Sequence, residues 1–486
     1  MSNAAVYTES PIADYRGNPL IEALPAIMSE EEAARAIASF PAYPGEERHL
    51  PSELRLHCIH RLRTVVQPLL IHMELESAVS SIIRTGYQSR NPMDAATWRH
   101  LHNLSTKRVD SGYTSSASTF SVVGLSGMGK TTALEAILRT YPQKIVHSRY
   151  RGQEFIHTQI TWLKLECPFD GSLSGLCHAF FRALDKALDD PGRHAARFRS
   201  KAGILEMIQL MQQLAATYFI GVLVIDELQH LNAAKTGGKD NMLNFFVNLI
   251  NSIGIPVVFV GTNSMINLFS DVLRNARRAC GIGMYDFRQP KPNDDAWHLL
   301  IQAIWKYQWV RNPAPLTDDL RAALYDMTQG VTDFLAKFMI LGQQYAIRAN
   351  IETLNKDVFA HIARTKLKLL EPALAALRSK NAAKMSRFED LLPADFQLEA
   401  LMNEPDTKVS FTSLANLAPD ESVVSAASDR QVEKAAPRQR TPKQVANNES
   451  VAGRITDGVA VGELLKKEGW LVEDVLEYSD TYRRAA

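Results

Sequence analysis

Between Phe120 and Phe287, short apolar runs rich in β-branched residues alternate with longer stretches whose apolar positions recur every three or four residues. The short runs predict strands at Phe120–Val123, Ile160–Leu165, Ile220–Ile225, Pro256–Val260 and Gly283–Phe287. The longer stretches predict helices at about Thr131–Thr140, Ser174–Leu188, Ile204–Ala216, Asn241–Ser252 and Met265–Cys280. Strands alternating with helices in this way are the pattern of a parallel sheet covered by helices on both faces, an α/β fold.

The flanks follow other patterns. From Glu53 to Arg84 apolar residues recur at helical spacing (Leu69, Leu70, Met73, Leu75, Val79, Ile82, Ile83), predicting one or two helices that lead into the core. From Asp294 to about Leu391 the pattern is helical throughout: Trp297–Tyr307, Thr317–Met327, Thr332–Arg348, Asn355–Leu370 and Glu371–Lys380. This predicts a helical lid. The first residues are rich in Pro, Ala and Glu, with one helical run near Glu30–Ala38, and are expected to form an arm that docks on a partner. Beyond Leu392 aromatics thin out and Pro, Ser, Ala and charge increase, notably in the basic stretch Lys434–Lys443, as in a flexible linker. The last apolar segment, Val461–Leu476, suits either a partner-binding peptide or a helix returning to its own lid. The expected division is 1–52 arm, 53–118 helical lead-in, 119–290 α/β core, 291–392 lid, 393–460 linker and 461–486 terminal segment.

Composition narrows the class more than the function. At 486 residues the chain is long enough for about two or three domains. With 46% hydrophobic residues and a formal net charge of +1, overall charge gives no argument for nucleic acid, and any DNA contact must come from local patches. Cys58, Cys167, Cys177 and Cys280 lack metal-ligand spacing and predict buried thiols in a reducing, cytoplasmic setting. No secretory leader is expected at the N-terminus, and the apolar runs are too short to span a bilayer, so no membrane partner is expected.

The chemistry concentrates where strands end. The first core strand runs into Gly124-Leu-Ser-Gly-Met-Gly-Lys-Thr131, which satisfies G-x-x-x-x-G-K-[ST] and opens a helix. Gly124, Ser126, Gly127, Gly129, Lys130, Thr131 and Thr132 are the expected phosphate-binding residues of a P-loop NTPase: glycines admit backbone amides close to the anion, and Lys130 bridges phosphates. Thr131 and Asp226 are the expected Mg²⁺ ligands, with ATP as the nucleotide. Asp226 and Glu227 end the run Gly221-Val-Leu-Val-Ile225, and Glu227 is the candidate that polarises the attacking water. Thr262 or Asn263, at the end of the next strand, would hydrogen-bond the γ-phosphate and align that water. Arg274, Arg277 and Arg278 share one helical face. One could serve as an arginine finger on a neighbouring subunit's nucleotide, while an acidic-partner patch and a solvated face remain open readings. For DNA the candidates are Arg149, Arg151, Lys235 and Lys239.

The order of these motifs is that of AAA+ ATPases, and further stretches resemble the TnsC-type AAA+ regulators of multi-component transposons. They are Tyr15–Pro25, Arg84–Pro92, Phe180–Ala187, Asp226–Leu231, Met242–Phe246 and Arg274–Arg278. The resemblance extends from near the N-terminus to about Leu391. It implies an ATP-dependent homo-oligomeric ring or filament around double-stranded target DNA, associated with the nucleoid. A TniQ/TnsD-type target selector would recruit it, and it would recruit a TnsB-type transposase, with a TnsA-type endonuclease where present. ATP hydrolysis would disassemble it. A replication initiator, a helicase loader and an ATP-stabilised scaffold without turnover are the alternatives. One departure concerns the lid: where many AAA+ lids carry Gly-x-x-Arg, this chain has Gly330-Val-Thr-Asp333, with Lys337 one turn later as a possible substitute.

Overall fold

A computed structural model describes residues 3–105, 115–198, 203–233, 245–246, 250, 254–266, 281–385 and 388. All belong to the first of two units of the chain, Met1–Val424. The described strands are β1 (Asn3–Ala4), β2 (Thr119–Gly124), β3 (Lys144–Tyr150), β4 (Gln153–Ile160), β5 (Trp162–Glu166), β6 (Val222–Asp226), β7 (Val257–Val260) and β8 (Met284–Phe287). Five of them form one parallel sheet in the order β5-β6-β7-β2-β8. β7 therefore lies between the strand that feeds the glycine-rich loop and the strand that ends in Asp226.

Side chains alternate across a strand, so both faces of a covered sheet must be apolar. Val122, Val224 and Val258 point into one cluster with Leu75, Val79, Ile82, Leu134 and Ile137. Their strand neighbours Val123, Leu223, Ile225 and Val257 point into a second cluster with Phe180, Phe181, Met211 and Ala215. The first set belongs to helices α4 (Leu70–Gln88) and α6 (Lys130–Leu138), the second to α7 (Leu173–Ala187) and α8 (Ile204–Thr217), where α1 (Pro19–Glu22), α2 (Glu30–Ile37), α3 (Ser52–Cys58) and α5 (Ala95–Ser105) complete the earlier numbering.

Most described core strands and helices follow the sequence pattern to within a few residues, and the differences are local, among them the helix Ala95–Ser105, which the pattern did not place. The run expected as one strand, Ile160–Leu165, is two: β4 ends at Ile160 and β5 begins at Trp162. At Thr161 the chain passes from one sheet to the other, its N–H donating to Gln143 O (2.9 Å) and its carbonyl accepting from Val222 N (3.0 Å). β3 and β4 form an antiparallel hairpin turned by Arg151 and Gly152, both with positive φ (48° and 83°), and β1 adds to it in parallel. The N-terminal arm is thus docked on its own chain. Helices expected at Asn241–Ser252 and Met265–Cys280 lie almost wholly outside the described residues, as do the linker and the terminal segment.

The arm's attachment has a polar centre. Glu22, buried on α1, accepts from Tyr150 OH (2.6 Å), Gly17 N (2.8 Å) and Arg151 Nη2 (3.2 Å). Burial, and then the bond to Glu22, push the Tyr150 hydroxyl above its ordinary range, so it remains a donor. Tyr150→Phe removes one of these donors and is expected to cost about 1–3 kcal/mol. Thermal unfolding reads this out, and a change under about 0.5 kcal/mol would show that the remaining donors satisfy the carboxylate.

The lid comprises α9 (Asp295–Trp305), α10 (Asp318–Thr328), α11 (Thr332–Arg348), α12 (Lys356–Thr365) and α13 (Glu371–Ser379). Trp297, Ile301, Trp309, Leu335, Phe338 and Phe359 form its core, and Ile59 and Leu62 from the lead-in pack within it. The lead-in is therefore divided. Its first part, through Leu62, belongs with the lid, while α4 belongs with the sheet. Arg55 fastens the first part: its guanidinium meets Glu352 in a bidentate pair (2.7 Å each) and donates to Trp309 O (2.9 Å). Arg55 is 1% exposed. Among the described residues no helix is long and apolar enough to cross a membrane.

Candidate nucleotide site

β2 delivers the chain into the glycine-rich loop, and α6 carries it away. Gly129, the residue before α6, sits at φ +90°, a conformation that favours glycine, and a Cβ there would face open space. Gly127 is also left-handed (φ +84°), and a Cβ on it would stand 3.1 Å from Asp333 Cβ and 3.2 Å from Val331 Cγ1. The loop is therefore open on one side and in contact with the lid on another. Lys130 Nζ donates to Gly124 O (2.8 Å) and Leu125 O (3.0 Å), folded over the loop's own carbonyls. The first-turn amides of α6 have no partner within the helix and can donate to an anion.

Across from the loop, β6 presents Asp226, 4% exposed. Thr131 Oγ1 donates to its Oδ2 (2.9 Å), and the Glu227 N–H donates to its Oδ1 (2.9 Å). Sequence reasoning missed a third partner, Lys164 on β5, whose Nζ lies 3.2 Å from Asp226 Oδ2 and 2.7 Å from Glu135 Oε1 on α6. The β5–β6 register sets Glu166 opposite Asp226, which places Lys164 two residues along the same face. Burial disfavours the Lys164 charge, but the bonds to Glu135 and the nearby Asp226 outweigh it and hold its pKa above the ordinary value. A hydroxyl and a carboxylate 2.9 Å apart are hard oxygen donors suited to Mg²⁺, and the space at Gly129 admits a polyphosphate. The residues fit both groups.

Glu227 has φ +57°, rare for a residue with a side chain, as the chain turns sharply off β6. Its carboxylate accepts from Gln229 Nε2, and Gln229 Oε1 accepts from the Thr262 N–H (3.2 Å). Of the two sensor candidates, Thr262 lines the cleft and is 4% exposed, whereas Asn263 is not among the lining residues. The Thr262 hydroxyl is bonded to Ser264 Oγ at 2.9 Å.

The cleft has a volume of about 1080 Å³, enough for a nucleotide, and its walls come from the loop, the lid and residues 62–72. Its apolar part includes Leu62, Val65, Val66, Leu300, Ile340 and Leu341. His72, also on the wall, accepts from Leu69 N–H through Nδ1 (3.0 Å). Burial pushes its pKa down to about 4, so the imidazole is neutral near pH 7. At the lid, the Asp333 N–H donates to Gly127 O (3.0 Å) and Asp333 Oδ2 pairs with Lys337 Nζ (2.5 Å). A carboxylate thus stands at the position where the resemblance to AAA+ ATPases raised the expectation of an arginine, and Lys337 is engaged with it.

Arg274, Arg277, Arg278, Lys235 and Lys239 lie outside the described residues. Arg149 and Arg151 lie at the hairpin end of the β1-β3-β4 sheet, apart from the sheet that bears the loop. Arg149 is exposed, while Arg151 pairs with Glu22 and lies over the Tyr150 ring (5.3 Å). Among the described residues no cluster of metal-ligating side chains of three or more occurs.

Residues 113–269 match the AAA domain family. No curated protein matches the chain. Among solved structures the chain is similar to a Walker-type ATPase of Pyrococcus abyssi, with 12% identity over 54% of this chain and 71% of that one and a TM-score of 0.34. It is similar to the RuvB Holliday junction branch migration motor of Thermotoga maritima, with 11% identity over 57% and 72% and a TM-score of 0.31. It is also similar to Drosophila ORC bound to DNA, with 12% identity over 70% and 67% and a TM-score of 0.34. Likeness at this level carries no functional argument. The domain match, the glycine-rich loop and the parallel sheet flanked by helices show an AAA+ P-loop fold.

Proposed function

We propose that the chain is an ATP-dependent regulator of DNA transposition that assembles as a ring or filament on target DNA. Within that assembly it links a TniQ/TnsD-type target selector to a TnsB-type transposase, and hydrolysis controls disassembly. What carries the reading is the meeting of two stretches that resemble TnsC-type proteins outside the generic nucleotide motifs, Tyr15–Pro25 and Arg84–Pro92. Asn18 Nδ2 donates to Tyr87 O (2.8 Å), and Arg84 Nη2 donates to Pro25 O (2.6 Å). Residues far apart in sequence form one packed unit, which supports treating the resemblance as a shared fold element.

At the nucleotide the residues divide the work. Lys130 exchanges its two carbonyl partners for phosphate oxygens, and the α6 amides cradle the same group. Thr131 and Asp226 would hold Mg²⁺, which would supply charge neutralisation for the polyphosphate. Glu227 accepts a hydrogen bond from the attacking water and polarises it, and Thr262 borders the same space. Arg274, Arg277 and Arg278 offer a planar cation to a neighbouring subunit's site, which makes assembly and turnover interdependent. Arg149 is the favoured DNA contact of the hairpin pair, because Arg151 is already paired. Electron microscopy with duplex DNA and a nonhydrolysable ATP analogue is expected to show nucleotide-dependent rings or filaments threaded by DNA. A monomer indifferent to nucleotide overturns the proposal.

A further inference from the structure

We infer that Gln229 is a positioning residue for the hydrolytic step, joining the end of β7 to the carboxylate of Glu227. The inference rests on the reading of Glu227 as the group that polarises water. Gln229 stands on the short turn Leu228–Ala233 after β6 and spans to the neighbouring strand. One end of its amide donates to Glu227 and the other accepts from the Thr262 N–H (3.2 Å). The chemistry fixes the amide's orientation: turned over, it would set N–H against N–H and an oxygen against a carboxylate. Space for this bridge exists because residue 261 is glycine. A Cβ there would lie 2.7 Å from Gln229 Oε1.

The turn itself is held at several points. Leu228 is fully buried, the His230 N–H donates to Glu227 O (3.1 Å), and His230 Nδ1 lies 3.1 Å from Cys167 O. An amide suits the position better than a cation, since a neutral donor orients the carboxylate without quenching its basicity as a full positive charge would. Gln229 does not line the cleft, whereas Glu227 and Thr262 both do. It therefore acts through them. A shift of Thr262 at the cleft edge is transmitted across one side chain to Glu227, so the acid's orientation depends on the state of the neighbouring strand.

Steady-state hydrolysis, nucleotide affinity by a fluorescent ATP analogue and thermal unfolding on Gln229→Ala, Gln229→Glu and Glu227→Gln test this. In Gln229→Ala, kcat is expected to fall about ten- to a hundredfold with nucleotide affinity unchanged, while unfolding stays cooperative with a modest fall in melting temperature from the Thr262 N–H left without its acceptor. Gln229→Glu, which keeps the shape but places an anion against Glu227, is expected to lose as much or more. In single-turnover reactions Gln229→Ala is expected to add no further loss on a Glu227→Gln background, because a residue that acts through another has nothing left to position. Wild-type or faster turnover in Gln229→Ala, a fall in nucleotide affinity matching the fall in kcat, or a full further loss in the double variant overturns the inference. Wild-type turnover in Glu227→Gln instead overturns the role of Glu227 itself, so the two failures are distinguishable.

Discussion

Glu227→Gln is expected to slow ATP turnover by about 10²- to 10⁴-fold while ATP-dependent assembly on DNA persists. Glutamine has nearly the same shape and can keep a hydrogen bond to Gln229, but its neutral amide is a far weaker acceptor for a water proton. The phosphate contacts proposed above, by contrast, fall to Lys130 and the α6 amides, and no bond from these to the Glu227 carboxylate is among those described. Binding and turnover are therefore expected to separate. A phosphate-release assay beside a nucleotide-dependent DNA-binding measurement checks both. Retained turnover would remove Glu227 from the chemistry, and lost binding would give it a role in holding the nucleotide.

The largest effect on stability is expected at Arg55. Arg55→Met leaves Glu352 buried without its bidentate partner, the remaining contacts to its carboxylate among the described residues coming from Arg311, with its N–H at 3.1 Å and its Nε at 3.9 Å. The expected cost is about 3–5 kcal/mol, read by thermal or denaturant unfolding. Arg55→Met combined with Glu352→Met should recover most of it, because an apolar pair of similar volume leaves no orphaned charge. Acid should expose the same pair. The bonds from Arg55 lower the Glu352 pKa below its ordinary 4.5, so its stabilisation is complete above that value and is lost as pH falls through the depressed one. Arg55→Met should flatten this part of the acid limb; an unchanged acid limb would mean that other carboxylates carry it.

The covered sheet was legible because strands buried on both faces are apolar at successive positions, as in Val222–Ile225. The glycine-rich loop was legible because its residue types and spacing are nearly sufficient by themselves. Lys164 and Gln229 escaped notice for a different reason. Each draws its meaning from a residue on another strand or helix, and that adjacency comes only with the sheet order and register. The β3–β4 hairpin was obscured by a register shift between His147 and Arg149, which breaks strict alternation, and by the Arg-Gly turn, which is a weaker cue than Asn-Gly. Ile59 and Leu62 show a further limit: periodic apolar residues announce that a face is buried, but not which of two cores it joins.

The division of the lead-in has a mechanical consequence. The chain passes from lid to sheet along residues 62–72 and returns from sheet to lid after Phe287, where Gln289 Nε2 donates to Gln329 O (2.9 Å) and Pro290 O accepts from Tyr325 OH (3.0 Å). Between these two crossings the lid also touches the glycine-rich loop directly, the Asp333 N–H donating to Gly127 O (3.0 Å), so lid and sheet are tied on more than one side of the cleft. The cleft is walled by both bodies, so whatever fills it touches lid and sheet at once and adds a bridge to those the chain already makes.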